Sequence, residues 1–445
     1  MRNLIQTIKN IFAIEDLRFR IFYTLTFVLI YRLGSYVMLP GVDANALQSK
    51  GEAEGLAGLI NMFAGGAFSR ASIFALGIMP YISASIVMQL LSMAFPYFQR
   101  MQKEGDSGRR KINQYTRFLT VLITVMQAPG YLSTQLTSYA GIVPDPSQLW
   151  WISSIAILVA GTIFVMWLGE RITDRGLGNG ISIIIMIGIV ADLPFAFVSE
   201  FASRMEAKGG GLILLLLELI FLLFVIIASI LLVQGTRKIP VQFAKKIVGN
   251  KQYGGVRQYI PLKVNAAGVM PIIFAQAIMF IPITIVGFAD SEQLSGVMGA
   301  LSNHHGLAYN IIFAVLIILF TYFYTAIMVN PTQMADDMKR NGGFIPGVKP
   351  GKQTANFIDD VMSKITLPGS IFLSWVAIMP SIAFNFLNVN DQFSQFFGGT
   401  SLLILVGVML DTLQQIESHL LMRHYDGLMK SGRIKGRSSM SMATA

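Results

Sequence analysis

The chain has 445 residues, of which 53% are hydrophobic and 13% are charged, and its formal net charge is +10. This charged fraction is about half of that in soluble domains, so too few charges are present to cover so much apolar surface in water. Composition therefore excludes an ordinary soluble enzyme, a disordered regulator and a fibrous repeat, and it favours an integral membrane protein. The chain has no cysteine, which excludes disulfides, thiolate metal ligands and a cysteine nucleophile.

Ten apolar stretches follow one another along the chain, and each is long enough to cross a hydrocarbon core as a helix, which takes roughly 20 residues. Because each run exceeds the length of a strand and is dominated by Ile, Leu and Phe, we expect ten transmembrane helices. They lie at residues 21–39, 74–95, 118–136, 150–168, 181–198, 212–233, 267–288, 308–329, 367–387 and 399–419.

Two further segments are apolar without being spans. Residues 1–20 carry apolar side chains at helical spacing between charges, which predicts an interfacial helix on the membrane. Residues 56–68 are too short to cross and contain Gly65 and Gly66 as a flexible end. They predict either a re-entrant half-helix that fills a cavity or a surface helix on the outer leaflet.

The ten spans divide into two sets of five, residues 21–200 and 201–419, before a basic tail at 420–445. An odd number of spans in each set permits an inverted repeat. Basic residues predict the orientation. With the N-terminus in the cytosol, 29 of the 34 lysines and arginines fall on cytosolic segments, and both chain ends are cytosolic. The others are Arg32 within the first span and four residues in outside loops, namely Lys50, Arg70, Arg204 and Lys208.

The longest cytosolic loops, 233–266 and 329–366, are basic and rich in Gly and Pro, and loops of this length usually bind a partner or are disordered.

Three glycine-rich motifs resemble catalytic ones but each lacks a required residue or context. Residues 342–347 (GGFIPG) have P-loop spacing, but Val348 stands where lysine is needed. Residues 176–180 (GLGNG) resemble a dinucleotide fingerprint, but Ile181 replaces the last glycine. Residues 105–108 (GDSG) lie in a charged loop without a nearby histidine. We therefore expect no catalytic site, no metal site and no cofactor.

Charged groups inside the spans are few. Arg32 is deep enough to snorkel or to pair with an acidic residue. Glu218, near the middle of the sixth span, leaves open a proton relay or a packing contact with a neighbouring helix.

Three classes of function remain: a protein-conducting channel, a secondary transporter for a small solute and an intramembrane enzyme. The near absence of charge in the spans favours the first, since an enzyme needs paired catalytic groups and a transporter usually needs a charged site.

Several motifs closely resemble those of the SecY protein-translocase family, and they occur in family order over nearly the whole chain. They are residues 61–86 (NMFAGGAFSRASIFALGIMPYISASI), 104–111 (EGDSGRRK), 114–117 (QYTR), 169–173 (GERIT), 175–182 (RGLGNGIS), 261–265 (PLKVN), 344–347 (FIPG) and 398–404 (GGTSLLI).

The resemblance implies an all-α integral membrane protein, whose ten transmembrane helices form two pseudo-symmetric five-helix halves around an hourglass channel. A ring of apolar residues at its waist would comprise Ile78, Ile82, Ile181, Ile185, Ile273 and Ile404. A plug half-helix would include Leu59, Ile60, Asn61, Met62, Phe63, Ala64, Gly65 and Gly66. A lateral gate between spans two and three on one side and seven and eight on the other would place Ser83, Gln89, Gln127 and Gln276 near it.

The resemblance also implies the partners and the location. The partners would be the small membrane subunits SecE and SecG, the motor ATPase SecA, the ribosome, signal peptides, unfolded polypeptides and the lipid bilayer. The motor or the ribosome would dock on basic residues of the long cytosolic loops, namely Arg237, Lys238, Lys245, Lys246, Lys251, Arg257 and Lys349. Lys349 departs from the family, which usually has arginine there, and lysine lacks the bidentate fork. The location would be the bacterial cytoplasmic (inner) membrane.

Overall fold

The computed structural model describes residues 12, 14–48, 61–139, 141–143, 146–205, 211–243, 246–248, 251–253, 257–287 and 305–430. Most of the predicted interfacial helix and of the basic tail lies outside these residues. So do three of the predicted site residues, Leu59, Ile60 and Lys245.

Helices occupy most of the described chain. The first set is α1 (Glu15–Gly34), α2 (Ala44–Gln48), α3 (Met79–Ala94), α4 (Pro96–Lys103), α5 (Asp106–Tyr131) with a π-helical turn after it (Leu132–Thr137), α6 (Gln148–Arg175) and α7 (Gly180–Met205). The second set is α8 (Gly211–Gln234), α9 (Met270–Gly287), α10 (Leu307–Met328), α11 (Pro331–Arg340), α12 (Lys352–Leu387), α13 (Asp391–Ser394) with a 3-10 turn after it (Gln395–Phe397) and α14 (Gly399–Lys430). The predicted division at residues 200 and 201 falls inside α7, which ends at Met205.

A helix lies at each of the ten predicted spans. Within the described residues, six helices are long and apolar enough to cross a membrane by length and composition: α6, α7, α8, α10 continued into α11, α12 and α14. The pair α3 and α4, bent by 103° at its break, would make a seventh if it is one span. An all-α, multi-pass membrane protein is thus confirmed, and the count of ten crossings stays a prediction.

The helices pack around a segment, residues 61–78, that is helical at 61–63 and otherwise a series of turns, and that lies in the interior rather than on a surface. Two glycines let neighbouring helices approach its backbone. A Cβ atom on Gly161 of α6 would lie 2.1 Å from the carbonyl oxygen of Ile73, and one on Gly188 of α7 would lie 2.6 Å from that of Phe63. Neither position has room for a side chain, so both glycines serve close packing.

A small β-layer occupies the two long connections that the sequence suggested were loops. Its strands are β1 (Thr236–Phe243), β2 (Lys246–Val248), β3 (Lys251–Tyr253), β4 (Arg257–Lys263) and β5 (Gly343–Phe344). One antiparallel sheet has the order β4-β1-β5, and β2 pairs with β3. Ile239, Val241 and Leu262 of the sheet pack against Met338 of α11 and Ile358 of α12. The connections are therefore a folded layer with its own apolar core.

Candidate functional site

The interior segment begins with a compact turn, residues 61–66, which we call the plug turn. Gly65 and Gly66 have φ angles of +61° and +79°, a region that glycine adopts without strain. The Gly66 N–H donates to the Asn61 carbonyl at 2.9 Å, and the Asn61 side-chain oxygen accepts from the Ser69 N–H at 2.9 Å. The chain thus closes on itself, and the Met62 side chain points into the protein, where it is buried.

Charged and phenolic side chains hold the plug turn in place. The Gly65 carbonyl accepts from Arg32 Nη1 at 2.6 Å and from Arg70 Nη2 at 2.5 Å. The Tyr31 hydroxyl donates to the Ala64 carbonyl at 3.2 Å. Burial lowers the pKa of the Arg70 guanidinium from its ordinary value. Hydrogen bonds to charged groups contribute about 1.5–3 kcal/mol each, so the two arginines are the main polar anchors of the turn.

Five of the six predicted ring isoleucines gather around the plug turn. Ile78, Ile185 and Ile404 are buried in one apolar cluster with Met62 and Phe63. Two more isoleucines pack against that cluster, namely Ile82 and Ile181. Ile78 immediately precedes α3, Ile82 lies on α3, and the others come from α7 and α14. Distant parts of the sequence thus contribute to the cluster that contains the plug turn.

The sixth predicted ring residue, Ile273, stands apart. It is half-buried near the start of α9, and within the described part of the chain it does not belong to the cluster around the plug turn. One polar contact reaches the plug turn from α14, where the Ser401 hydroxyl lies 3.4 Å from Met62 Sδ.

The predicted gate residues lie on three helices. Ser83 and Gln89 are on α3 and Gln276 is on α9, all half-buried, whereas Gln127 on α5 is exposed. The Tyr324 hydroxyl of α10 donates to Gln89 Oε1 at 3.1 Å and thereby joins α3 to α10. Sequence reasoning missed Tyr324. The only signal for it was a phenol within a strongly apolar span, and such a group needs a partner when buried.

A second polar cluster ties α7 to α8, and it corrects the sequence analysis. Arg204, expected in an outside loop, lies in the last turn of α7 and is 6% exposed. Arg204 Nε is 2.7 Å from Glu200 Oε1, and Arg204 Nη2 is 2.5 Å from Glu218 Oε1. Glu218 therefore takes part in an ion pair between neighbouring helices, which agrees with the packing alternative.

The same cluster reaches a third segment. Arg204 Nη2 donates to the carbonyls of Leu387 at 2.9 Å and Asn388 at 2.8 Å, where α12 ends. The Asn390 N–H donates to Glu200 Oε2 at 2.8 Å. Removing one partner of a buried ion pair costs about 3–5 kcal/mol. These residues form the strongest polar junction between α7, α8 and α12.

The predicted docking residues lie on or beside the β-layer. Arg237 and Lys238 are exposed on β1, and Lys349 is exposed in the connection that leads to α12. The backbone places Lys246, Lys251 and Arg257 on β2, β3 and β4 respectively. All six thus belong to one layer at the same end of the helices.

The fold and the interior turn define a class: a polytopic α-helical membrane protein whose centre is filled by an irregular, tethered segment. Comparison with known proteins specifies it. The SecY family model matches residues 72–413. The protein translocase subunit SecY of Halalkalibacterium halodurans is 43% identical over 436 residues, which cover 96% of this chain and 100% of the relative. The chain belongs to the SecY family.

Solved structures with the same fold agree with this assignment. A solved structure of a protein conducting channel matches this chain with a TM-score of 0.63 at 17% identity. The match covers 90% of this chain and 92% of the chain in that structure. Sec61 in the canine ribosome-channel complex from the endoplasmic reticulum has a TM-score of 0.59 at 16% identity, with the same coverage. At such low identity these similarities concern the fold.

We expect Arg32→Met to loosen the plug turn, because the Gly65 carbonyl loses one of its two guanidinium donors. Amide hydrogen exchange of residues 61–66 should accelerate on the order of tenfold, as expected for the loss of a charged hydrogen bond. Arg18→Met, on the exposed side of the same helix, is the matched control and should leave this exchange unchanged. Equal exchange in the two variants would show that Arg32 does not anchor the turn.

We expect Tyr324→Phe to weaken the contact between α3 and α10, since it removes the hydroxyl that Gln89 accepts and keeps the ring. A neutral hydrogen bond contributes about 0.5–1.5 kcal/mol, so cross-linking between cysteines placed on α3 and α10 should slow severalfold. Tyr322→Phe on the same helix is the control. The interpretation is wrong if both variants cross-link alike.

Proposed function

We propose that this chain is the pore-forming subunit of a protein-conducting channel, which passes unfolded secretory polypeptides across the membrane and releases membrane segments sideways into the lipid. The observation that carries the proposal is membership of the SecY family over nearly the full length, with a translocase subunit at 43% identity. The chain is accordingly a channel subunit and not an enzyme.

The interior chemistry supports a path for polypeptides of any sequence. The isoleucines around the plug turn offer branched apolar surfaces that can surround a passing chain without binding it, and an apolar constriction can exclude water when empty. We assign Ile78, Ile82, Ile181, Ile185 and Ile404 to such a ring, and Ile273 joins them only if α9 moves closer. Residues 61–66 would act as the plug.

The seam between α3 and α10 supports lateral release. One neutral hydrogen bond, from Tyr324 to Gln89, joins the two helices there. Ser83, Gln127 and Gln276 add neutral polar groups that would make the seam easier to wet than a purely apolar one. A signal peptide that binds between these helices could replace this hydrogen bond at modest cost.

Partners would supply the energy and complete the channel. The exposed basic side chains of Arg237, Lys238 and Lys349 suit an anionic surface such as ribosomal RNA or an acidic protein. A Sec61 relative of the same fold has been solved with a ribosome. We therefore propose the ribosome and the motor ATPase SecA as partners at the β-layer, and SecE and SecG as the small membrane subunits.

We propose the bacterial inner membrane as the location, as membership of the SecY family implies, with both ends in the cytosol, as the basic residues predict. A transporter for a small solute is less well supported, because Glu218, its ionic site in the spans, is already paired with Arg204.

The deciding experiment is reconstitution into liposomes with the small subunits and the motor ATPase. Protease protection of a signal-bearing precursor is then measured with and without ATP. ATP-dependent protection is expected. If all partners are shown to be bound and the precursor stays accessible, the proposal fails and solute flux becomes the next measurement.

We also expect Ile185→Ser to raise the ion leak of the idle channel severalfold, because a hydroxyl in the apolar cluster favours water at the constriction. Ile213→Ser is the matched control, since Ile213 is 86% exposed on α8 and faces away from the interior. Leak is read from the dissipation of a membrane potential in liposomes. An equal leak in the two variants would contradict the assignment of Ile185 to the ring.

A further inference from the structure

The cluster of Glu200, Arg204 and Glu218 has no part in the proposed path, yet all three side chains are at most 7% exposed. Burying three charges is costly unless each is paired and hydrogen-bonded. A neighbouring segment supplies further partners for these charges.

That segment is the tight turn after α12. Asn388 adopts a left-handed conformation with φ of +51°, which ends the helix. The last carbonyls of a helix lack partners within it and carry partial negative charge. Arg204 donates to two of them, at Leu387 and Asn388, and Glu200 accepts the Asn390 N–H. The side chains of Arg204 and Glu200 on α7 thus cap the end of α12.

The capped turn leads directly into the interior of the protein. Phe393, Phe396 and Phe397 follow it and are buried in the same apolar cluster as Met62 of the plug turn. The α14 helix begins at Gly399 and is held close to α12, because a Cβ atom on Gly398 would lie 2.2 Å from the Val376 carbonyl oxygen. The connection between the turn and α14 is therefore short and closely packed.

The first turns of α14 then meet the plug. Ser401 contacts Met62, and Ile404 packs in the surrounding cluster. A shift of the turn at residues 387–390 would therefore be passed to Ser401 and Ile404 through a short, buried connection.

We propose that Arg204, braced by Glu200 and Glu218, is a positioning residue: it fixes the turn after α12 and so sets where α14 presents Ser401 and Ile404 to the plug. This inference rests on the proposed function, since it assigns the cluster to the closed state of the same channel. Arg204 and Glu200 lie on α7, and Glu218 ties the guanidinium to α8, so α7 and α8 together hold the end of α12.

The test uses the absence of cysteine in the natural chain. Cysteines introduced at Met62 and Ser401 are the only thiols, and a short bismaleimide reagent reports how closely α14 approaches the plug. Arg204→Met and the isosteric Glu218→Gln should each slow this cross-linking by on the order of tenfold or more, because each breaks the buried ion pair that holds the turn. Arg204→Lys should fall between, because it keeps the charge and loses the fork.

Arg117→Met is the matched control. Arg117 pairs with Glu170 at 2.7 Å between α5 and α6, and their side chains are 49% and 25% exposed, so this pair is not buried as the Arg204 cluster is. It should leave the cross-linking rate unchanged. Thermal unfolding of each variant in detergent identifies those that are folded, and rates are compared among these alone, with Glu218→Gln deciding if Arg204→Met does not fold.

A folded Glu218→Gln variant that cross-links at the parental rate would overturn the proposal. The ion leak of the idle channel gives a second reading and should rise with the same variants. Cross-linking needs no transport, so its outcome is independent of the precursor assay: a chain that fails to translocate would refute the function, and unchanged cross-linking would refute only the role of Arg204.

Discussion

Irregular backbone inside a membrane protein must find hydrogen-bond partners within the protein, because lipid offers none. Residues 61–78 are such a stretch, and the rest of the interior is arranged to satisfy them. Arg32 and Arg70 bind the Gly65 carbonyl, Tyr31 binds that of Ala64, and Tyr131 donates to the Phe68 carbonyl at 2.7 Å. These contacts give the guanidinium of Arg32, in the last turn of α1, a partner inside the protein.

Two junctions between distant helices differ greatly in strength. The buried pairs of Arg204 with Glu200 and Glu218 would cost about 3–5 kcal/mol to break. The hydrogen bond from Tyr324 to Gln89 contributes about 0.5–1.5 kcal/mol. In the proposed channel, this difference in polar contacts would favour separation of α3 from α10 over separation of α7 from α8.

Long apolar runs made the helices predictable, and a helix occurs at each of the ten predicted positions. The β-layer was not predicted because Pro240 and Pro261 interrupt its two longest strands, and proline usually argues against a strand. Arg204 was assigned to a loop because a charge near a span end normally marks the boundary. Its burial depends on Glu200 and Glu218, a pairing that only the packing of α7 on α8 creates. The hydrogen bond from Tyr324 to Gln89 and the position of Ile273 outside the cluster around the plug turn also depend on how the helices pack.

The donors that hold the plug turn are unevenly distributed along the chain. Tyr31 and Arg32 lie on α1, and Arg70 lies between α1 and α3. The contact from α14 is the weak one between the Ser401 hydroxyl and the Met62 thioether. If α14 moved away in the proposed channel, these donors would keep the turn attached to α1. Resealing would then need only the return of one helix to a surface that is already formed.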